Sequence, residues 1–168
     1  YGWVGPEEAA QVGREPIPEA RLVSGRVSAG AGIAGRASKL MEAGDSLGAL
    51  ILDAAGSAAA EEAADRLGAI IAGGSGGESD ASALSCRISP GYGRWDLSSQ
   101  PALFRRLPHE ELGVALMPSM LMLPRKSVSF AMWLGADARP LAGLSGCAHC
   151  ELASCRYRKE PVSEGPSE

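Results

Sequence analysis

Between Asp45-Ser46 and Gly73-Gly74 the chain carries one unbroken helical pattern. Leu47, Leu50, Ile51, Ala54, Ala58, Leu67, Ile70 and Ile71 recur there at roughly helical spacing. Asp45-Ser46 offers an N-cap, and the glycine pair ends the pattern. The spacing predicts a single helix over 46–71, with Gly56 as an interior weak point. It is the longest element in the sequence, and a chain of 168 residues has room for one domain and one core around it.

Shorter elements flank it. Residues 1–20 are rich in Pro, Gly and Glu and read as an irregular or partly helical lead-in. Arg21 to Ser28 reads as a strand, 36–43 as a short helix, and the Gly/Ser-rich stretch Gly73 to Ser82 as a loop. Ser85 to Ile88 has strand character and runs into the turn Ser89-Pro90-Gly91-Tyr92-Gly93. Pro101 to Leu107 suits a short helix. Leu112–Met117 and Ser127–Leu134 suit strands, with a turn at Pro124-Arg125-Lys126. The last eight residues form a polar tail.

Charge narrows the function. A net charge of −4 argues against nucleic acid, which needs a concentrated basic face; the only basic cluster is the short Arg156, Arg158, Lys159 group. The longest apolar stretch, Val114 to Leu123, contains Pro118 and is too short to span a bilayer. No signal peptide is visible. The first residue is Tyr1, so the N-terminus is expected to be truncated. Four cysteines, three of them clustered, point to a reducing cytoplasm.

Gly30-Ala31-Gly32-Ile33-Ala34-Gly35 fits G-x-G-x-x-G, with Asp53 near the place of a ribose-binding acid. That suggests a dinucleotide-dependent oxidoreductase. Against it, the preceding strand carries Ser24, Gly25, Arg26 and Ser28, which suit a buried parallel strand poorly. The crossover helix would be short, and Asp53 falls inside the long helix. In a chain this rich in Gly and Ala the motif is a weak signal.

Cys86-Arg87-Ile88-Ser89-Pro90-Gly91-Tyr92-Gly93 resembles the R-x-x-P-G-Y signature of the activation domain of cobalamin-dependent methionine synthase. Leu116-Met117-Pro118-Ser119-Met120-Leu121-Met122-Leu123-Pro124, then Ser127-Val128-Ser129, is similar to that family's L-T-E-S…W-P…S-V-S block. Ala64-Asp65-Arg66-Leu67 resembles its long helix. The three blocks keep the family's order over about residues 46–135.

The resemblance implies one α+β domain, with helices around a twisted, mostly antiparallel sheet, over 1–146. Residues 147–168 would add a Cys-rich segment and tail. It implies S-adenosylmethionine binding at Arg87, Ser89, Pro90, Gly91 and Tyr92. Arg87 can offer the ligand's carboxylate a charge-assisted fork, Gly91 permits close backbone approach, and Tyr92 adds a flat face and a hydroxyl. The implied function is reactivation. Cob(II)alamin on a partner is reduced by a donor such as flavodoxin and methylated from S-adenosylmethionine. The partner would be a methionine synthase lacking this domain, or another corrinoid protein. The D-x-H-x-x-G signature of a cobalamin-binding domain is absent here, so cobalamin would arrive on that partner. No Ser-His-Asp pattern, P-loop or H-E-x-x-H occurs, and His109 beside Glu110 and Glu111 reads as a solvated end.

The sequence departs from the family at Pro118, where the family has a glutamate, and at Ala69, acidic in the fused enzymes. Asp53, Ser57 and Glu61, at i, i+4 and i+8, share one helix face. They read either as a polar stripe or as groups that replace the missing acids or face the partner. Cys147, Cys150 and Cys155 give C-x2-C-x4-C, spacing that suits zinc or an iron–sulfur cluster, with Cys86, His149 or an exogenous group as a further ligand. A metal- or cluster-binding redox adaptor without S-adenosylmethionine is therefore the second reading.

Overall fold

A computed structural model of the chain describes residues 1–4, 21–74, 87–92, 95–107 and 111–135. It shows an α+β fold. Strands β1 (Gly2–Val4), β2 (Arg21–Ser28) and β5 (Ser127–Leu134) form an antiparallel sheet in the order β1-β2-β5. β3 (Ala115–Leu116) and β4 (Met122–Leu123) form a small antiparallel pair. Helices α1 (Gly32–Glu42) and α2 (Ser46–Gly74) follow β2. A 3-10 turn at Leu97–Ser99 leads into α3 (Gln100–Arg106).

Period-two alternation sorts the sheet into two faces. Leu22, Ala131 and Trp133 point one way and pack with Trp95 and Leu103. Val23, Phe130 and Met132 point the other way, against Ala64 and Ile71 of α2. The long helix thus covers one face and α3 the other. β2 and β5 run in register from Arg21↔Leu134 to Ser28↔Ser127. Residues 99 to 113 positions apart therefore build one platform.

The long helix forms where the spacing predicts, reaching Gly74. Asp45 caps it, its Oδ1 accepting from the Gly48 N–H at 2.9 Å. Three expectations are revised. Gly2–Val4, within the lead-in read as irregular or partly helical, is a strand. The short helix begins at Gly32, not 36. Residues 111–113 form a turn, so only Ala115–Leu116 of the 112–117 stretch is strand. Of the 85–88 strand only residues 87 and 88 are described, and Ile88 forms a bridge with Ala131 whose two N–H···O bonds of 3.0 and 2.8 Å dock the segment on β5.

The glycine motif finds no Rossmann context among the described residues. β2 pairs antiparallel with both neighbours, and Asp53 lies inside α2. Gly30, at φ 76°, serves the turn from strand to helix.

Gly56 is where α2 is crossed. A Cβ there would sit 2.7 Å from Ile33 Cγ2 and 3.2 Å from Lys126 Cγ. Alanine would gain about 1 kcal/mol of helix propensity but force an overpacked contact worth roughly 1–3 kcal/mol. Gly56→Ala is therefore expected to lower the urea midpoint slightly, and Gly56→Leu strongly. An alanine variant more stable than the native chain would show the crossing to be loose.

Candidate functional site

The described residues of the Arg87 motif and the 116–129 block meet at one cleft of ≈ 290 Å³. Ser89, Pro90 and Tyr92 come from the first; Met120, Leu121, Met122, Ser127, Val128 and Ser129 come from the second. Glu61 of α2 and Gln100 of α3 close the sides, and Arg125 adds a cation. The volume lies just below the range for small-molecule sites, about 300–1,000 Å³. The cleft is open, and Tyr92 is 66 % exposed on its rim.

Local structure explains how these side chains come together. The Ile88 bridge lays 87–92 along β5. The chain then turns, with the Tyr92 N–H donating to Ser89 O at 3.1 Å and the Gly91 N–H to Trp95 O at 2.7 Å. Gly91 has φ 92°, so this turn itself calls for glycine there. Opposite, the β3–β4 hairpin is closed by Met117 N–H to Leu121 O at 2.8 Å. Met120 takes φ 64°, a left-handed conformation uncommon outside glycine, and lines the cleft.

Arg87 stands behind the cleft, its side chain 18 % exposed. Its NH2 group pairs with Glu61 Oε2 at 2.5 Å and with Asp65 Oδ1 at 3.1 Å, and its guanidinium sits 5.6 Å from the Phe130 ring centroid. Burial alone would pull Arg87 down; the hydrogen bonds and charges of Glu61 and Asp65 together outweigh it and hold it above its ordinary value. The expected carboxylate fork is thus engaged by two acids of α2 in this structure. One of them, Glu61, faces the cleft.

The Asp53, Ser57, Glu61 stripe faces a row of cations. Lys126 is buried, with Nζ 2.8 Å from Asp53 Oδ1 and donating to Ser57 Oγ at 2.9 Å; Glu61 takes Arg87. The stripe is the seam by which α2 grips the segments that build the cleft. Nothing in the sequence marks Lys126 as buried, since a lysine beside a Pro turn reads as solvated.

The Lys126 hydrogen bond and the charges of Lys126 and Arg125 hold the Asp53 carboxyl below the usual carboxylate range. Its folded value is depressed, so the stabilisation is present above the unfolded value of about 3.9 and is lost as pH falls through the folded one. Asp53→Asn should therefore melt below the native chain at pH 6, and the gap should close below about pH 4. A gap independent of pH would assign the effect to packing.

Cys86, Cys147, Cys150, Cys155 and His149 lie outside the described residues. No described helix is long and apolar enough to cross a membrane. Comparison with protein-family models and with curated proteins finds no match for this chain.

Proposed function

We propose that the cleft binds S-adenosylmethionine and that the chain supports reductive methylation of a corrinoid carried by a partner protein. One observation carries this reading. The two separate sequence blocks that resemble the activation domain, centred on Pro90 and on Met120–Ser129, line a single cleft, although neither touches the other in sequence.

The lining suits that ligand chemically. Leu97, Met120, Leu121, Met122 and Val128 give an apolar surface for a nucleoside, and Tyr92 gives it a flat ring. Ser89, Ser127, Ser129 and Gln100 supply hydrogen-bonding groups. Glu61 places a carboxylate beside the cleft, where a cationic sulfonium and ammonium need one. It stands in for the acids missing at Pro118 and Ala69, and Arg87 and α2 hold it in place.

Bound S-adenosylmethionine supplies a methyl group on a sulfonium, which the reduced corrinoid of the partner accepts while S-adenosylhomocysteine is left behind. The chain's own part is positional. An open cleft with Tyr92 and Leu121 exposed on its rim leaves the ligand's reactive end accessible to a second protein. No proton has to move, so no general base is required. The partner would be a methionine synthase lacking this domain or another corrinoid protein. The electron donor would be of the flavodoxin type, and the compartment the cytoplasm.

The test mixes the chain with a cob(II)alamin-loaded partner, a low-potential reductant and S-adenosylmethionine. Methylcobalamin should appear in the visible spectrum only when all four are present. Equal methylation without the chain would reject the reading.

A further inference from the structure

Among its described lining residues the cleft carries one charge of each sign, Glu61 on α2 and Arg125 on the turn before β5. No ion pair joins the two. Glu61 takes Arg87, whereas Arg125 makes no hydrogen bond or ion pair among the described residues. Arg125 also borders the groove between α1 and α2, beside Asp53. There Lys126 holds the Asp53 carboxylate at 2.8 Å, and Arg125 acts on it only through space. The Arg125 guanidinium is therefore the cation of the cleft that is open to a ligand.

The turn fixes where that cation stands. The Ser127 hydroxyl donates to Pro124 O at 2.7 Å, which closes the backbone around Arg125. Lys126 O accepts from the Ala29 N–H at 2.8 Å, and the buried Lys126 side chain donates to Ser57 Oγ on α2 at 2.9 Å. Arg125 thus projects from a backbone pinned to both β2 and α2, so part of the ordering cost of binding is already met in the fold. A guanidinium offers a planar fork of N–H donors that matches a carboxylate.

We propose that Arg125 is the oxyanion receptor of the cleft and takes the carboxylate of bound S-adenosylmethionine. This role rests on the cleft being the S-adenosylmethionine site. Arg87, to which the resemblance assigns the carboxylate, is engaged by Glu61 and Asp65 and holds Glu61 at the cleft instead. Two roles are thereby separated. Glu61 faces the sulfonium and ammonium of the ligand, and Arg125 faces its negative group, so the cleft reads both charges of the amino-acid end.

The test compares the native chain with Arg125→Met, Arg125→Lys and Arg87→Met. Each is titrated calorimetrically with S-adenosylmethionine and its decarboxylated analogue, then with adenosine monophosphate and adenosine. The native chain should prefer S-adenosylmethionine over the analogue by about tenfold, the lower end for a hydrogen bond to a charged group. Arg125→Met should bind the two equally, with native affinity for the analogue and a melting point close to the native one, since the side chain is exposed. Arg125→Lys keeps the charge without the fork and should retain part of the preference. Arg87→Met should weaken both compounds alike and keep the preference. An Arg125→Met variant that keeps the preference, or a preference lost in Arg87→Met, overturns the proposal. Equal binding of both compounds by the native chain overturns it too and leaves the S-adenosylmethionine reading standing. If S-adenosylmethionine does not bind, but adenosine monophosphate is preferred over adenosine only where Arg125 is present, the S-adenosylmethionine reading falls and the oxyanion role stands. A native chain that binds neither pair defeats both.

Discussion

Phe130→Ala should destabilise the chain by about 3–5 kcal/mol, the range for deleting a buried aromatic ring, out of a total stability of roughly 5–15 kcal/mol. Phe130 is fully buried, between Val23, Ala64, Ile71 and Met132. Its cross-strand neighbour is Gly25, and the ring lies across that glycine. A Cβ at 25 would fall within 2.9 Å of three ring carbons, Cε1, Cε2 and Cζ. Gly25 has no side chain to collapse into the vacated space, so the cavity stays open. Urea unfolding should show the midpoint falling with little change in slope. Gly25→Val attacks the same contact from the other side and should also destabilise, because a fully buried ring has nowhere to retreat. A Phe130→Ala loss below about 1 kcal/mol would mean that the helix and sheet are not packed as described.

Arg87→Met should weaken S-adenosylmethionine binding by about 2 kcal/mol, near thirtyfold, with a smaller loss of stability. Arg87 ties the cleft-forming segment to α2 through Glu61 and Asp65. Without it, two carboxylates at i, i+4 repel each other, and Glu61 is no longer held at the cleft. Calorimetry on the folded variant checks this. Unchanged affinity would remove Arg87 and Glu61 from the site.

Local signals in the sequence carried the larger elements. The 3.6 spacing from Leu47 to Ile71, with its Asp45 cap, marks α2, and β-branched and aromatic runs mark β2 and β5. The α+β class follows the resemblance and holds in the structure. Partners were not legible, because they depend on tertiary contacts. The Asp53, Ser57, Glu61 stripe is visible as one face, but that it meets Lys126 and Arg87 appears only once β5 and the 87–92 segment are in place. Arg26 alternates with Ser24 and Ser28, so period two predicts a solvated face. α3 and Trp95 cover that face instead, and bury the charge. Gly91 answers to a turn as well: beside the room it offers a ligand, its φ of 92° calls for glycine.

The central claim is that the cleft joining the two blocks holds S-adenosylmethionine. Calorimetric titration of the full chain with S-adenosylmethionine, alongside Met122→Arg in the cleft wall, tests it most directly. The account predicts one saturable site per chain in the native protein, abolished or weakened at least about thirtyfold by the clash and like charge that Met122→Arg brings to the cleft wall. Absence of heat with the native chain, or equal binding by folded Met122→Arg, would contradict it.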